Sequence, residues 1–178
     1  MLLDRLEVRS EAPSDFGSID RMQLAAFRDP QIPPLIAAIR ASRNYIPELA
    51  LVAEAGGHVV GHIMVSALTL MTERRDPAPI LVLSPLGVDP AFQGRGIGSR
   101  LTETALALAD ERPEPIMIVQ GHPDYYPRFG FVQGRTIGVL PPEHLGDIDR
   151  AWMARPAPGH GEIPRGRVDY PGSFVDLD

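Results

Sequence analysis

The most informative absences in this 178-residue sequence are those of cysteine and lysine. Without cysteine, the chain forms no disulfide framework, no thiolate nucleophile and no cysteine-ligated zinc site. All 17 basic residues are arginine, which excludes a P-loop, because its turn ends in Gly-Lys-Ser or Gly-Lys-Thr. No apolar run approaches the ~18 residues of a membrane-spanning helix. The start of the chain has no basic segment followed by an apolar stretch, as a signal peptide would, so we expect a cytoplasmic protein.

Net charge and chain length indicate which partners to expect and how many domains the chain forms. The formal net charge is −6, and an acidic protein repels nucleic acid and anionic membranes, so we expect neither as a partner. The acidity would weakly favour a cationic acceptor such as an amine, although solubility explains it better. The length and the 44% hydrophobic content predict one domain over residues 1–178, with a core at 6–135 and a Pro- and Gly-rich tail at 136–178.

Hydrophobic periodicity predicts a mixed α/β structure in the order β-α-α-β-β-β-α-β-α-β. Alternating or continuous apolar runs predict strands at residues 6–9, 50–54, 58–70, 80–88, 115–120, 131–133 and 148–153. Helical spacing predicts helices at residues 16–26, 34–42 and 97–111, and a short aromatic helix at 122–129. Residues 156–172 read as irregular.

The strongest local signal is a turn with three glycines in five residues, Gly94, Gly96 and Gly98. An apolar strand leads into this turn, and an amphipathic helix follows it. Without Cβ atoms, backbone N–H groups can close around an anion, and the helix N-terminus adds unpaired donors and a positive dipole end. A diphosphate is the natural occupant, with Arg95 and Arg100 adding charge at the rim.

Two other interpretations of the turn are less consistent with the sequence. A dinucleotide-binding turn needs a third glycine where Ser99 stands and an acid about 20 residues further on. Glu114 has that spacing, but it precedes the next strand instead of ending it. A plain strand-to-helix turn would need only one or two glycines.

Two blocks of sequence resemble a known family. Residues 93–98, Gln-Gly-Arg-Gly-Ile-Gly, match the Gln/Arg-x-x-Gly-x-Gly/Ala signature of GNAT acetyltransferases, and the approach at 86–90 matches too. About 30 residues further on, the segment 121–131 ends in the Tyr-x-x-x-Gly-Phe pattern of the same family. The likeness is greatest to the YhbS-like branch of bacterial acetyltransferases and covers roughly residues 6–135; residues 167–171 resemble that branch more weakly.

The resemblance implies the GNAT fold, a central mixed, mostly antiparallel twisted sheet of six to seven strands flanked by about four helices. A pair of strands in this sheet splays apart to hold the cofactor. It also implies an acetyl-CoA-dependent N-acetyltransferase that transfers the acetyl group directly to an amine of a small molecule or peptide. The alternative is a CoA- or acyl-CoA-binding sensor or partner module without transfer activity. A transferase that moves a longer acyl chain is a third possibility that the sequence leaves open.

The same resemblance implies which residues contact the cofactor. Leu86, Gly87 and Val88 would lie along the pantetheine arm, and the Val88 amide would face the thioester carbonyl. The diphosphate would be held by the backbone amides of the glycine turn, namely Gln93, Gly94, Arg95, Gly96, Ile97, Gly98 and Ser99.

The tyrosine four residues before the Gly-Phe pair is Tyr126, and the resemblance implies that it is the general acid that protonates the departing CoA thiolate. For the adjacent Tyr125 we expect a packing role.

The sequence leaves the general base open. Glu54, His62, Glu73 or a bound water could remove the proton from the acceptor amine. His58 and His62 share a strand face but lie about 13 Å apart, too far to ligate one metal, and we predict no metal site. We expect the acceptor pocket to be built from residues 30–49 and 72–76, with the tail as a further candidate, and exposed edge strands make a homodimer plausible.

Overall fold

The computed structural model describes residues 5–146 and 148–170, and one sheet extends through most of this part of the chain. Its strands are β1 (Leu6–Ser10), β2 (Ala50–Ala55), β3 (His58–Thr72), β4 (Pro77–Val88), β5 (Ile116–Gln120), β6 (Val132–Gln133), β7 (Val139–Leu140), β8 (Trp152–Pro156) and β9 (Gly166–Asp169). The α-helices are α1 (Phe16–Phe27), α2 (Ile32–Arg40) and α3 (Ile97–Asp110).

The strands follow the order β1-β2-β3-β4-β5-β8-β6, and β9 adds to the far half of β3. Pairing is antiparallel except between β4 and β5 and between β7 and β9. The predicted fold class, a mixed and mostly antiparallel sheet with flanking helices, is therefore confirmed. Strands β7 and β9, which the hydrophobic pattern did not reveal, raise the count above the expected six to seven.

Three predicted boundaries change for local reasons. Helix α2 begins at Ile32, two residues early, because the prolines after it occupy first-turn positions where an N–H is not needed. The strand predicted from residue 148 begins at Trp152, because the amides of Ala151 and Trp152 both donate to the Ile148 carbonyl and close a turn. The short aromatic helix is a 3₁₀ turn at Tyr126–Phe129. Residues 171–172 of the predicted irregular tail lie outside the described residues.

The sheet has an apolar cluster on each face. Along β3, Ile63 belongs to the cluster that includes Leu101 of α3, whereas its neighbour Met64 belongs to the cluster that includes Ile19 of α1 and Ile36 of α2. Since successive strand residues face opposite sides, one long strand anchors both helical layers. No helix in the described ranges is long and apolar enough to cross a bilayer.

Candidate active site

Strands β4 and β5 separate soon after they meet. They pair in parallel only at Leu81 with Met117 and at Val82 with Ile118. On its other edge, β4 stays paired with β3 as far as Val88. The β5-facing edge of β4 therefore opens into a cleft beyond Leu83.

A β-bulge explains why the strands diverge. The register between β3 and β4 shifts from Val65 opposite Leu83 to Ile63 opposite Leu86, so Ser84 and Pro85 together face one residue of β3. A bulge bends its strand and increases the local twist. Pro85 also has no amide to donate to a neighbouring strand. The bulge thus turns β4 away from β5 at the mouth of the cleft.

The cleft edge of β4 carries backbone groups that its strand partners do not use. The Asp89 amide donates to the Val60 carbonyl at 2.9 Å. Because hydrogen bonding alternates along an antiparallel strand, the amides of Val88 and Leu86 point away from β3, into the cleft. The Val88 carbonyl on the same edge accepts a hydrogen bond from Gln93 Nε2 at 3.0 Å.

Gly87 differs from its two neighbours. It pairs with His62 of β3 and does not line the cleft. A Cβ on Gly87 would collide with the side-chain amide of Gln23 on α1. The structure therefore provides a packing reason for this glycine, the close approach of α1 to β4.

The glycine turn lies between β4 and α3 and has left-handed backbone at two positions. Gly94 has φ 72° and Gly96, the N-cap of α3, has φ 80°. A Cβ at either position would meet no atom within 4 Å, so open space lies in front of the turn. Gly98 serves packing instead, since its Cβ would lie 3.1 Å from the Tyr125 hydroxyl.

The amides of this turn are free to bind a ligand. Within residues 5–146 and 148–170, the amides from Gly94 to Ser99 have no protein acceptor, and the first helical bond runs from Arg100 N to Gly96 O at 3.0 Å. Unpaired amides at a helix N-terminus, reinforced by the helix dipole, bind anions. Amides already bonded within the protein could not bind a phosphate in this way.

A cavity of about 410 Å³ occupies the cleft. Its size is typical of a small-molecule site. Its walls come from the ends of α1 and β5, the start of α2, the cleft edge of β4, the glycine turn and the tyrosine pair. The lining residues are Phe27, Ile32, Leu83, Ser84, Pro85, Leu86, Val88, Gln93, Gly98, Gln120, Gly121, His122, Tyr125 and Tyr126.

The predicted cofactor residues divide into two groups. Leu86, Val88, Gln93 and Gly98 line the cavity, whereas Gly87 and the rest of the turn do not. The Ile97 side chain packs in the core, so only its amide is available to a ligand. The residues of the turn outside the cavity lining are Gly94, Arg95, Gly96, Ile97 and Ser99.

Tyr126 lies at the inner wall of the cavity and is only 7% exposed. Its ring packs edge-on to Phe131 and so closely against Gly121 that a Cβ there would strike the ring. Burial, with a smaller effect from Tyr125, raises the pKa of Tyr126 well above its usual value. The hydroxyl therefore stays protonated at neutral pH, the state that a proton donor requires.

Tyr125 makes the packing contacts that its sequence context predicts. Its ring centroid lies 4.9 Å from that of Tyr126, and the Arg128 guanidinium stacks 4.4 Å above it. Its hydroxyl lies 3.4 Å from Thr102 Oγ1 on α3. Tyr125 also lines the cavity, so it joins the helix to the tyrosine turn at the edge of the site.

Comparison with known families agrees with the resemblance to acetyltransferases that the sequence predicted. The model of the acetyltransferase (GNAT) domain matches residues 47–133, a stretch that contains β2 to β5, the glycine turn and Tyr126. Over these 87 of its 178 residues the chain is similar to the GNAT family. This similarity to acetyltransferases supports the predicted acyltransferase class.

Two bacterial relatives agree with the predicted branch. The chain is 34% identical to the uncharacterized N-acetyltransferase YjhQ of Escherichia coli K12 over 118 residues, which span 66% of this chain and 65% of YjhQ. It is 27% identical to the uncharacterized N-acetyltransferase YhbS of the same organism over 125 residues, 70% of this chain and 72% of YhbS.

Two solved structures resemble this chain over almost its whole length. E. coli YhbS in complex with CoA has a TM-score of 0.83 at 22% identity, covering 96% of this chain and 92% of its own. A GNAT family acetyltransferase from Brucella melitensis in complex with acetyl-CoA has a TM-score of 0.77 at 27% identity, covering 96% and 98%.

The three side chains predicted as candidate bases lie outside the cleft. Glu54 forms a 2.7 Å ion pair with Arg9 and lines a separate groove together with His58. Glu73 lines a groove beside β9 at the opposite end of β3, together with Thr72 and Arg75 of the predicted wall at residues 72–76. Spacing along the sequence does not reveal which end of a strand a residue joins.

His62 is fully buried under α1 and α2. Its Nε2 lies 2.9 Å from the Glu11 carboxylate, and its Nδ1 lies 2.8 Å from Gln23 Nε2, which can only donate. The ring is therefore neutral with its proton on Nε2, and burial lowers the pKa of His62. Since both nitrogens are engaged, His62 cannot serve as a base for a bound acceptor.

Glu11 is the centre of this buried network. Arg40 donates to both of its oxygens, at 2.8 and 2.7 Å, and the Tyr45 hydroxyl donates at 2.9 Å. Burial favours the neutral acid, but the hydrogen bonds from Arg40 and His62 prevail and lower the pKa of Glu11 to about 2. The network ties α1, α2 and β3 together beneath the cleft.

One cavity residue, Ile32, lies in the predicted acceptor wall at residues 30–49. Several others were not anticipated from the sequence: Phe27 ends α1, Ser84 lies in the bulge of β4, and Gln120 and His122 lie at and just after the end of β5. Of these unanticipated residues, only His122 lies in the segment 121–131 that resembles the family, and the sequence pattern of that segment singled out only its tyrosines. In the described part of the chain, no group of three or more His, Asp or Glu side chains could hold a metal ion.

Proposed function

We propose that this chain is an acetyl-CoA-dependent N-acetyltransferase that moves an acetyl group directly to an amine of a small molecule or peptide. The observation that carries the proposal is the run of unbonded amides from Gly94 to Ser99, next to a cleft whose edge offers further unbonded amides. Relatives of the same fold have been solved with CoA and acetyl-CoA.

The geometry suggests how the cofactor would lie. The amides from Gln93 to Ser99 would bind the diphosphate, and Arg95, whose guanidinium lies 5.6 Å from the centre of the Phe92 ring, would add charge at the rim. The pantetheine arm would follow β4, where the cleft-facing backbone groups of Leu86 and Val88 would replace the missing strand partner.

Positioning supplies most of the rate gain in such a reaction. The Val88 amide would stabilise negative charge on the thioester oxygen as the amine attacks. Tyr126 would supply the proton for the departing thiolate, and as a weak acid it would do so only as charge develops on the sulfur. A chain without cysteine cannot form a cysteinyl acyl-enzyme, which is consistent with direct transfer.

The test has two parts. Isothermal titration should detect acetyl-CoA binding at micromolar concentrations, and incubation with a panel of primary amines should release free CoA thiol. No heat of binding at any accessible concentration would end the proposal. Binding of acetyl-CoA with no release of CoA thiol in the presence of any of the amines would favour a CoA-binding module instead.

We also propose the remaining features on the same basis. A single domain over residues 1–178 is supported by the sheet that joins β1 to β9. The net charge of −6 supports the lack of nucleic-acid or membrane partners, and a cytoplasmic location stays our expectation. A homodimer through an exposed edge strand, such as β6, is our expectation for the assembly.

A further inference from the structure

Direct transfer to an amine raises a question that the site described above leaves open. An alkylamine is protonated at neutral pH, since its pKa is about 10, and the ammonium form has no lone pair for attack. One proton must therefore be removed, by a side chain in the cleft or by water, before the nitrogen can attack. The candidates predicted from sequence, Glu54, His62 and Glu73, all lie elsewhere.

The cavity offers very few alternatives. Among its lining residues only His122, Tyr125 and Tyr126 have side chains that titrate, and no carboxylate is present. Burial raises the pKa of Tyr126, so its hydroxyl stays protonated and cannot accept a proton from the amine. The Tyr125 hydroxyl lies at 3.4 Å from Thr102, beside the first turn of α3. Of the three, imidazole is the group that changes charge near neutral pH when unperturbed.

The surroundings of His122 suit proton removal. It follows β5 directly at the cleft, four residues before Tyr126, and its side chain is 73% exposed. Water can therefore take away a proton that the ring accepts. Nδ1 accepts a hydrogen bond from the Asp124 amide at 3.3 Å, and the Asp124 carboxylate lies 4.0 Å from the same nitrogen, whereas no protein group bonds to Nε2 in the described part of the chain.

We propose that His122 is the general base of this protein, a role that rests on the proposed acetyl transfer to an amine. His122 takes one proton from the ammonium form of the acceptor and passes it to water. The freed nitrogen forms the N–C bond to the acetyl carbonyl carbon, and the C–S bond breaks. Tyr126 gives its proton to the thiolate, and the second proton of the nitrogen, lost as the amide forms, restores Tyr126.

Two acceptors of nearly the same shape separate base catalysis from binding. Phenethylamine is protonated at neutral pH, whereas O-benzylhydroxylamine, with oxygen in place of one methylene, is largely unprotonated and needs no base. The aromatic ring suits the apolar wall formed by Phe27 and Ile32. Transfer to each is followed by release of CoA thiol from acetyl-CoA.

For His122→Ala we expect kcat/KM with phenethylamine to fall by about 10²-fold or more, and with O-benzylhydroxylamine to change by less than about twofold. Added imidazole should restore transfer to phenethylamine. The matched control is His144→Ala, since His144 is also exposed but lies outside the cavity lining. It should leave both rates unchanged.

Equal losses of kcat/KM with both acceptors would overturn the inference and assign His122 to binding or positioning. Rates that stay at the wild-type level would also overturn it, because His122 would then have no role in the transfer. A failure of the proposed function looks different, because the wild-type protein would then either not bind acetyl-CoA in a titration or release no CoA thiol with any amine of the panel, the two probes included. In that case this inference falls with the proposed function.

Discussion

A matched pair of glycine substitutions tests the phosphate site most directly. Gly96 and Gly57 have nearly the same backbone, with φ 80° and 81°, and in both cases a Cβ would meet no atom within 4 Å. Gly57 lies in the β2–β3 hairpin, whereas Gly96 caps α3 at the proposed diphosphate site. Valine at either position should therefore cost similar stability, about 2 kcal/mol from left-handed strain.

The two variants should differ strongly in ligand binding. In Gly96→Val the side chain would occupy the open space in front of the turn and block the amides from the diphosphate. Each hydrogen bond to a charged group is worth about 1.5 kcal/mol or more, so losing two weakens binding by about 3 kcal/mol, or about 100-fold in Kd. Gly57→Val should bind acetyl-CoA as the wild type does.

The measurements are urea unfolding for stability and isothermal titration for affinity. S-acetylpantetheine, which lacks the diphosphate, is a second control, because its binding should not depend on Gly96. If Gly96→Val bound acetyl-CoA with wild-type affinity, the phosphate assignment would be refuted. If both variants lost binding to the same extent, general destabilisation would explain the effect.

Two further predictions concern a cavity residue and the buried network. Tyr126→Phe should lower kcat by about 10²-fold with little change in acetyl-CoA affinity, measured by thiol release and titration; unchanged kcat would remove Tyr126 from the chemistry. Stability to urea should fall as the pH drops. The folded pKa of His62 is depressed, so below pH ~6.5 the unfolded chain binds a proton that the folded chain does not. Glu11, with a pKa lowered from 4.5 to about 2, adds stability above pH 4.5 that is lost toward pH 2, about 3 kcal/mol at most. Replacing His62 with Gln should flatten the loss between pH 6.5 and 5, and an unchanged slope there would contradict a neutral buried His62.

The glycine turn was predictable from sequence because its chemistry is local. The spacing of Gly94, Gly96 and Gly98 at the junction of a strand and a helix specifies both the backbone angles and the unpaired amides. The structure has left-handed φ at Gly94 and Gly96 and adds a distinction that the pattern does not contain, namely that Gly98 is needed for contact with Tyr125.

The origin of the cleft was not visible in the sequence alone. The separation of β4 from β5 depends on a bulge opposite Met64, and a bulge is a relation between two strands. Gly87 shows the same limit, since the reason for this glycine is the side chain of Gln23, 64 residues away in sequence.

The sequence by itself determined the family resemblance, the order of the main elements and the anion-binding turn, because each depends on residues that are neighbours along the chain or on hydrophobic periodicity. Only the tertiary structure decided which titratable groups meet in the cleft: it buried His62 against Glu11, placed Glu54 and Glu73 in other grooves and left His122 at the cavity. The physical reason is that burial and charge partners control protonation, and both are set by contacts between residues far apart in sequence.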